Sequence, residues 1–305
     1  MAVLFTVVTL TTAILAGSLG NSGLLATRTA QASLASPERG DAGLQVQTRL
    51  GDDFATQDGI ARDALSKAFY PVEVETWTTL ISEPFSVDGG RLVAWAGEQY
   101  APGNLEPTEG TWPASEAEAA LQADAAETLG LGVGSELTVG DHSLTVTALW
   151  RAADPSAGLW LDDPLVVGGT DRSASGPLIV SAPVVESLGS PYVRWVSLPD
   201  VSSITAQQLG LLAERAGQAA EDVKAADVSG RGLVVTGDLG PTVEQAARDS
   251  ASGDAFGFVP VSVLVLIALV GLTQVAGLLS AARERETSLL FARGASLRQV
   301  LASTL

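Results

Sequence analysis

Two long apolar segments frame this 305-residue chain. Residues 1–27 carry no charge, and residues 258–282 are also uncharged and rich in Val, Leu and Ile. A helix that crosses a bilayer needs about 20 mostly apolar residues, and its backbone groups must be hydrogen-bonded within the segment. The pattern predicts two transmembrane helices over these ranges, a large domain over 28–257 and a tail over 283–305.

Small residues recur at four-residue spacing within both apolar segments. They include Ala13 and Gly17 in the first segment and Thr273, Gly277 and Ala281 in the second. This spacing places them on one face of each helix, where small side chains let two helix backbones approach closely. We therefore expect these five residues to pack the two spans together.

The first apolar segment has a second interpretation, a cleaved signal peptide. Ala30-Gln31-Ala32 has the small-residue pattern of a cleavage site. A signal peptide, however, has a basic start and an apolar core of about 7–15 residues. No basic residue precedes Arg28, and the apolar stretch is longer than such a core. The pattern favours an uncleaved span, with the true start of the protein expected upstream of Met1.

Charge predicts the orientation of these spans. Residues 28–257 hold 13 Lys/Arg and 33 Asp/Glu, a net charge of −20, whereas residues 283–305 hold four Arg and two Glu, a net charge of +2. Basic residues close to a span stay in the cytoplasm. The chain is therefore predicted to lie in the cell membrane, with the tail in the cytoplasm and the acidic domain on the outer side. Such acidity argues against a nucleic-acid partner, since phosphate binding needs clustered Lys/Arg.

Between the apolar segments, strand-like and helix-like patterns follow one another. Residues 44–50 and 72–81 alternate apolar and polar positions, which is typical of half-buried strands. Residues 57–69 carry a helical apolar stripe that Pro71 ends. No Cys is present, so no disulfide stabilises the domain. The predicted class is α+β, and the scattered order of elements predicts a domain split by an inserted subdomain.

Two longer helices are predicted further along. Ser115 and Glu118 have the spacing of a capping box, which indicates a helix over residues 116–129 that ends at Gly130 and precedes a β-hairpin. Residues 205–226 indicate a second long helix. The stretch 154–176 between them is rich in Gly, Pro and Asp and is predicted as a loop.

Residues that could carry chemistry are few. His142 is the single histidine and lies at a predicted hairpin turn, and no Gly-rich phosphate loop occurs. Asp162 and Asp163 lack the periodic oxygen ligands of a calcium loop. We therefore predict no catalytic residue, no metal, no cofactor and no enzyme activity. Core packing is the expected role of the six tryptophans, Trp77, Trp95, Trp112, Trp150, Trp160 and Trp195.

The tail has a helix–turn–helix pattern. A charged helix is predicted from Arg283 to Arg293, where the helix dipole favours a cation. Gly294 then provides a left-handed cap. Ser296 and Gln299 have capping-box spacing, so a second short helix is expected to follow. An alternative is an anchor that lies on the lipid surface.

This tail resembles the signature of FtsX-like permeases, the MacB-type membrane subunits of ABC transporters. The resemblance rests on Arg283-Glu284-Arg285-Glu286, Leu289-Leu290-Phe291-Ala292-Arg293-Gly294-Ala295-Ser296 and the order span, outer domain, span, coupling helix. The unit Glu109-Gly110-Thr111-Trp112-Pro113 with Leu129-Gly130-Leu131-Gly132-Val133-Gly134 is also similar to the family's periplasmic core. Phe291 departs from the pattern, because relatives often carry a basic residue there.

The resemblance implies a permease subunit that couples ATP hydrolysis by a separate ATPase subunit to movement of the outer domain. The residues it implies for that coupling are Arg283, Glu284, Glu286, Leu290, Arg293, Gly294, Ala295 and Ser296. It also implies a second permease protomer or repeat, the lipid membrane, and an outer protein or lipoprotein as partners. Relatives have at least four spans, so the chain is expected to be the N-terminal part of one permease repeat. The alternative is a two-span sensor with an outer ligand-binding domain.

Overall fold

The computed structural model describes residues 24, 27–32, 34–35, 42–100, 103–226, 228, 231–250, 266–267, 269–271 and 273–278. The chain divides into two compact units, Thr27–Ser250 and Met1–Ala26 with Ala251–Leu305. Within the described residues, every helix falls short of the length and apolar character that a membrane crossing requires. Most of the two predicted spans lies outside the described residues, so both remain predictions.

The unit Thr27–Ser250 is a mixed α+β domain around an open sheet of eleven strands, which confirms the predicted class. The strands are β1 Leu44–Arg49, β2 Val74–Ile81, β3 Phe85–Val87, β4 Gly90–Gly97, β5 Leu105–Gly110, β6 Glu118–Gln122, β7 Glu136–Val139, β8 His142–Ala152, β9 Ser175–Ile179, β10 Tyr192–Pro199 and β11 Val234–Thr236. The main path runs β11-β1-β10-β2-β4-β9-β6-β8-β5, with β3 paired to β4 and β7 to β8.

The helices of this unit pack around the sheet and at its strand ends. They are α1 Phe54–Phe69, α2 Ala123–Leu129, α3 Pro164–Gly168, α4 Ala182–Glu186, α5 Ala206–Ala216, α6 Ala219–Ala225 and α7, residues 239–250. Helix α1 begins where the Asp53 side chain accepts a hydrogen bond from the backbone N–H of Thr56 at 3.1 Å. Residues 27–32 are also helical, and Gln31 Nε2 donates to the backbone oxygens of Ser202 and Ile204 at 3.0 and 3.1 Å.

One end of the sheet has the connectivity of a ferredoxin-like unit. Its elements follow the order β1-α1-β2-β10-α5/α6-β11, and its strands lie in the order β11-β1-β10-β2, all antiparallel. This is the split β-α-β arrangement in which two crossovers interleave. Residues 82–191, which carry β3 to β9, are therefore inserted in sequence between the second and third strands of this unit.

The larger of the two buried apolar clusters includes the face of the ferredoxin-like unit that its helices cover. Leu44 and Val46 of β1 alternate with half-buried polar residues, as the sequence pattern predicts. They belong to a buried cluster with Trp195 of β10, and with Leu65 and Phe69 of α1. A second buried cluster holds Trp95, Trp150 and Trp160. The predicted core role is thus confirmed for four tryptophans, while Trp77 and Trp112 remain partly exposed.

The predicted helix over residues 116–129 is wrong in its first half. Residues 118–122 form β6, which is enclosed between β8 and β9, and its Ala119, Ala120 and Leu121 are fully buried. Burial on both faces outweighs the helix propensity of alanine. The helix starts only at α2, where the Gln122 side chain accepts from the N–H groups of the first turn, and Gly130 ends it with φ 68° as predicted.

Two other predictions need correction. The predicted helix 205–226 is broken at Gly217-Gln218 into α5 and α6, since glycine has a low helix propensity. Its Thr205/Gln208 capping box is present. The predicted loop 154–176 contains the short helix α3 and the first residues of β9. The predicted hairpin after Gly130 is confirmed as β7 and β8.

Candidate functional site

The residues predicted to couple to an ATPase, Arg283, Glu284, Glu286, Leu290, Arg293, Gly294, Ala295 and Ser296, lie outside the described residues. So do the span-packing residues Ala13, Gly17 and Ala281. Thr273 and Gly277 are described and helical, and Thr273 Oγ1 donates to the Val270 backbone oxygen at 2.8 Å. A Cβ added at Gly277 would meet no atom within 4 Å. These two residues therefore show no close helix contact, and the packing role remains a prediction.

The described helical residues between 266 and 278 expose large apolar side chains. The exposed fractions are 67% for Leu266, 62% for Ile267 and Leu269, 51% for Val270 and 71% for Leu278. In water such a surface is unfavourable by about 25 cal/mol per Å². Exposed apolar side chains of this kind are compatible with the predicted second span, which remains a prediction.

The polar residues singled out in the sequence have structural partners. His142 is the first residue of β8, and its Nε2 atom lies 3.1 Å from the Oγ atom of Ser187. Asp163 accepts from the N–H of Leu165 at 3.0 Å and pairs with Arg194 at 2.7 Å, both side chains being largely buried. No group of three or more His, Cys, Asp or Glu is arranged for a metal among the described residues.

A cleft lies between α1 and the segment that enters α4, and we call it the α1–α4 cleft. Its volume is about 440 Å³. Helix α1 contributes Phe54, Asp58 and Arg62, β2 contributes Thr78 and Leu80, the end of β4 contributes Ala96, Gly97 and Glu98, and the α4 side contributes Val180, Ala182 and Glu186. The cleft therefore joins the ferredoxin-like unit to the inserted residues 82–191.

A polar network fixes the floor of the α1–α4 cleft. Asp58 Oδ1 accepts from Trp195 Nε1 at 2.7 Å and from Thr78 Oγ1 at 3.0 Å, and Asp58 Oδ2 accepts from Arg62 Nε at 2.8 Å. Arg62 also donates to the Thr76 backbone oxygen at 2.9 Å and to Thr78 Oγ1 at 2.6 Å. All three guanidinium nitrogens of Arg62 are thus engaged within the protein.

The electrostatics of this network favour an ionised Asp58. Partial burial raises the pKa of the Asp58 carboxyl, but hydrogen bonds from Trp195, Arg62 and Thr78 together outweigh it, so the pKa is lowered. Two features of the sequence point to this site. Asp58 and Arg62 stand at helical i, i+4 spacing, and Thr76 and Thr78 alternate along one strand face.

The rim of the cleft is acidic and its walls are apolar. Glu98 and Glu186 are exposed, and neither makes an ion pair or hydrogen bond with a described residue. Phe54, Leu80 and Val180 supply apolar surface to the lining of the cleft. Because Arg62 is already paired with Asp58, the two rim carboxylates leave the cleft with a net negative charge.

A smaller cavity of about 350 Å³ lies beside Trp112, between the loop before β6 and the end of β9. Glu118 lines it, and its Oε2 accepts from the N–H of Ala114 at 2.7 Å. Ser181 also lines it, and its buried hydroxyl has no hydrogen-bond partner among the described residues. That oxygen is closed off from solvent, so it is not accessible to a ligand in the cavity.

No protein-family description matches this chain, and no characterised protein matches it significantly. The resemblance of the tail to FtsX-like permeases therefore rests on the sequence motifs alone.

Proposed function

We propose that the chain is a membrane permease subunit of an ABC transporter or mechanotransmission complex. In this proposal, ATP hydrolysis on a separate ATPase subunit moves the tail over residues 283–305. The second apolar segment transmits that motion to the outer α+β domain, which acts on a lipid, a lipoprotein or another outer protein. The observation that carries the proposal is the order apolar segment, acidic domain, apolar segment and Arg/Glu-rich tail.

The fold supports a finer proposal, that the outer domain is a MacB-like periplasmic core with an inserted subdomain. The ferredoxin-like unit begins and ends close to the two apolar segments in sequence, with β1 at Leu44–Arg49 and α7 ending at residue 250. A force applied through the second apolar segment would enter this unit through α7. The insertion of residues 82–191 between β2 and β10 gives the domain a second part on which that force can act.

An uncleaved first span is supported by the packing of the residues that follow it. Ala30 is fully buried, and Gln31 hydrogen-bonds the backbone beside α5. Cleavage at Ala30-Gln31-Ala32 would cut a helical segment that forms part of the domain. This observation weighs against the signal-peptide interpretation and supports a continuous connection from the first apolar segment into the domain.

Membrane orientation is testable because the chain has no cysteine. Single cysteines placed at the exposed Ser66 on α1 and at Ser296 in the tail provide a matched pair of reporters. A membrane-impermeant maleimide applied to intact cells should label Ser66→Cys and leave Ser296→Cys unlabelled until the cells are opened. Labelling of both positions in intact cells, or recovery of the chain in the soluble fraction, would refute the two-span orientation.

The coupling role requires a second experiment. The full chain is co-purified with a candidate ATPase subunit, and ATPase activity is measured with and without the chain. Gly294→Pro, which blocks the left-handed cap, and Glu286→Arg, which reverses a tail charge, should each weaken the complex and its activity. Unchanged binding and stimulation in both variants would rule out coupling through the tail and leave the two-span sensor as the better description.

A further inference from the structure

We propose that the α1–α4 cleft binds a small organic ammonium ion, a positively charged nitrogen carried on an apolar body about the size of one aromatic ring. This goes beyond the permease role, because it assigns a ligand class to the outer domain and holds or fails independently of any ATPase.

The size and position of the cleft suit a small ligand. Its volume of about 440 Å³ lies at the lower end of the range for pockets that bind small molecules, about 300–1,000 Å³. Such pockets occur preferentially at the junction of two structural parts. Here α1 and β2 form one wall, and the residues around α4 form the other.

The charge of the cleft selects a cation. All three guanidinium nitrogens of Arg62 are engaged with Asp58, Thr76 or Thr78, and Asp58 neutralises its charge, so Arg62 adds no net positive charge that would favour an anionic ligand. The carboxylates of Glu98 and Glu186 accept hydrogen bonds only, and neither is satisfied by a described residue. A ligand must therefore bring donors or positive charge. The net charge of −20 over residues 28–257 also concentrates cations near the domain.

The apolar walls of the cleft favour a cation that carries an apolar group. Phe54, Leu80 and Val180 line the same cleft as the two carboxylates. An aromatic ring such as that of Phe54 also attracts an ammonium group that lies over its face. A bare metal ion gains nothing from these walls, whereas an arylalkyl ammonium ion contacts both kinds of surface.

The polar network around Asp58 at the floor of the cleft explains how the site keeps its shape without a ligand. Asp58 accepts three hydrogen bonds from separate elements, α1, β2 and β10. Since the wall of α1 is held in place in this way, little ordering has to accompany binding, and preorganisation of this kind strengthens it. A ligand that contacts Glu98 and Glu186 together would link the end of β4 to α4.

The test measures binding of 2-phenylethylammonium to the full chain in a non-ionic detergent by ligand-observed NMR. The matched neutral probe is 2-phenylethanol, which has the same ring and chain length and controls for partition into detergent. A ligand this small is expected to bind with a Kd of about 1 mM. The neutral probe should bind at least about fivefold more weakly, since exposed ion pairs contribute up to about 1 kcal/mol each.

Three variants assign that binding to the cleft. Glu98→Gln and Glu186→Gln should each weaken binding about 2–5-fold, and together about 5–20-fold. Glu127→Gln removes an exposed carboxylate on α2 outside the cleft and should leave the Kd unchanged. All three side chains are exposed, so loss of folding is not expected to confuse the result.

Four outcomes would overturn the proposal. These are no saturable binding up to about 10 mM, ten times the expected Kd, equal binding of the alcohol, an unchanged Kd in the double variant, and an equal loss in Glu127→Gln. A further arm uses N-acetyl-lysinamide. Binding of this lysine mimic in the absence of binding by the arylalkyl probe would replace the small ligand with a basic polypeptide segment.

Discussion

Replacing Asp58 with asparagine is the perturbation that tests the network beneath the α1–α4 cleft most directly. The change keeps the shape of the side chain and removes its charge. Oδ1 accepts from Trp195 and Thr78, and Oδ2 accepts from Arg62, so whichever way the amide is oriented its NH2 group faces at least one donor. At least one hydrogen bond is lost outright, and the guanidinium of Arg62 loses its counter-charge.

The expected magnitude follows from the burial of the pair. A hydrogen bond to a charged group contributes about 1.5–3 kcal/mol, and breaking a fully buried ion pair costs about 3–5 kcal/mol. The side chains of Asp58 and Arg62 are 25% and 39% exposed, which lowers the second figure. We expect a loss of about 2–3 kcal/mol, or a decrease in Tm of roughly 4–12 °C for a domain of this size.

Asp63→Asn is the matched control, because it makes the same chemical change on the same helix. Asp63 pairs with Lys67 at i, i+4 spacing, but the two side chains are 62% and 75% exposed. Exposed helix pairs contribute about 0.3–0.5 kcal/mol. Urea unfolding of both variants near neutral pH gives the comparison. Equal losses in the two variants, or a loss below about 0.5 kcal/mol in Asp58→Asn, would refute the reasoning about the buried network.

Further predictions concern the same domain. The Asp58 pKa is lower in the folded chain than in the unfolded chain, so its stabilisation is present above the unfolded pKa and is lost as pH falls through the folded pKa. Urea unfolding should therefore show the gap between wild type and Asp58→Asn closing below about pH 4, and a pH-independent gap would contradict this. Gly97→Ala should destabilise by about 1–3 kcal/mol, because its Cβ would lie 2.7 Å from a backbone oxygen of β2. Gly59→Ala, which meets no atom within 4 Å inside α1, should stabilise by about 0.5–1 kcal/mol in the same unfolding assay. Thermal unfolding of Thr205→Ala should show a loss of about 1 kcal/mol, since the change removes the capping box of α5, and an unchanged Tm would refute that role.

The sequence predicted local elements well wherever pattern and burial agree. The alternation over residues 44–50 and the stripe over residues 57–69 correspond to β1 and α1. The strand β6 was missed because its run Glu-Ala-Ala-Leu-Gln has strong helix propensity, and only its enclosure between β8 and β9 makes it a strand. Burial by distant neighbours is a property of the fold, which a local pattern does not contain.

The candidate site was less accessible from the sequence than the elements. The i, i+4 pair Asp58/Arg62 is visible in the sequence. Such pairs are common on solvated helix faces, however, where they have little effect on stability. What distinguishes this pair is Trp195, which lies 137 residues further along and donates to Asp58. Its place in the same network follows from the pairing of β10 with β2, which only the topology reveals.

The insertion of residues 82–191 has a consequence for how the domain folds. Strand β1 pairs with β10, so that Leu44 lies opposite Ser197, and the central strand pair of the ferredoxin-like unit joins residues about 150 positions apart. Contacts of such high sequence separation are slow to form, because a long loop must close first. During synthesis, strand β1 therefore has no partner along its β10 edge until the whole insertion has left the ribosome. A chaperone or early folding of the hairpin β7–β8 would shorten the time for which that strand edge is exposed to aggregation.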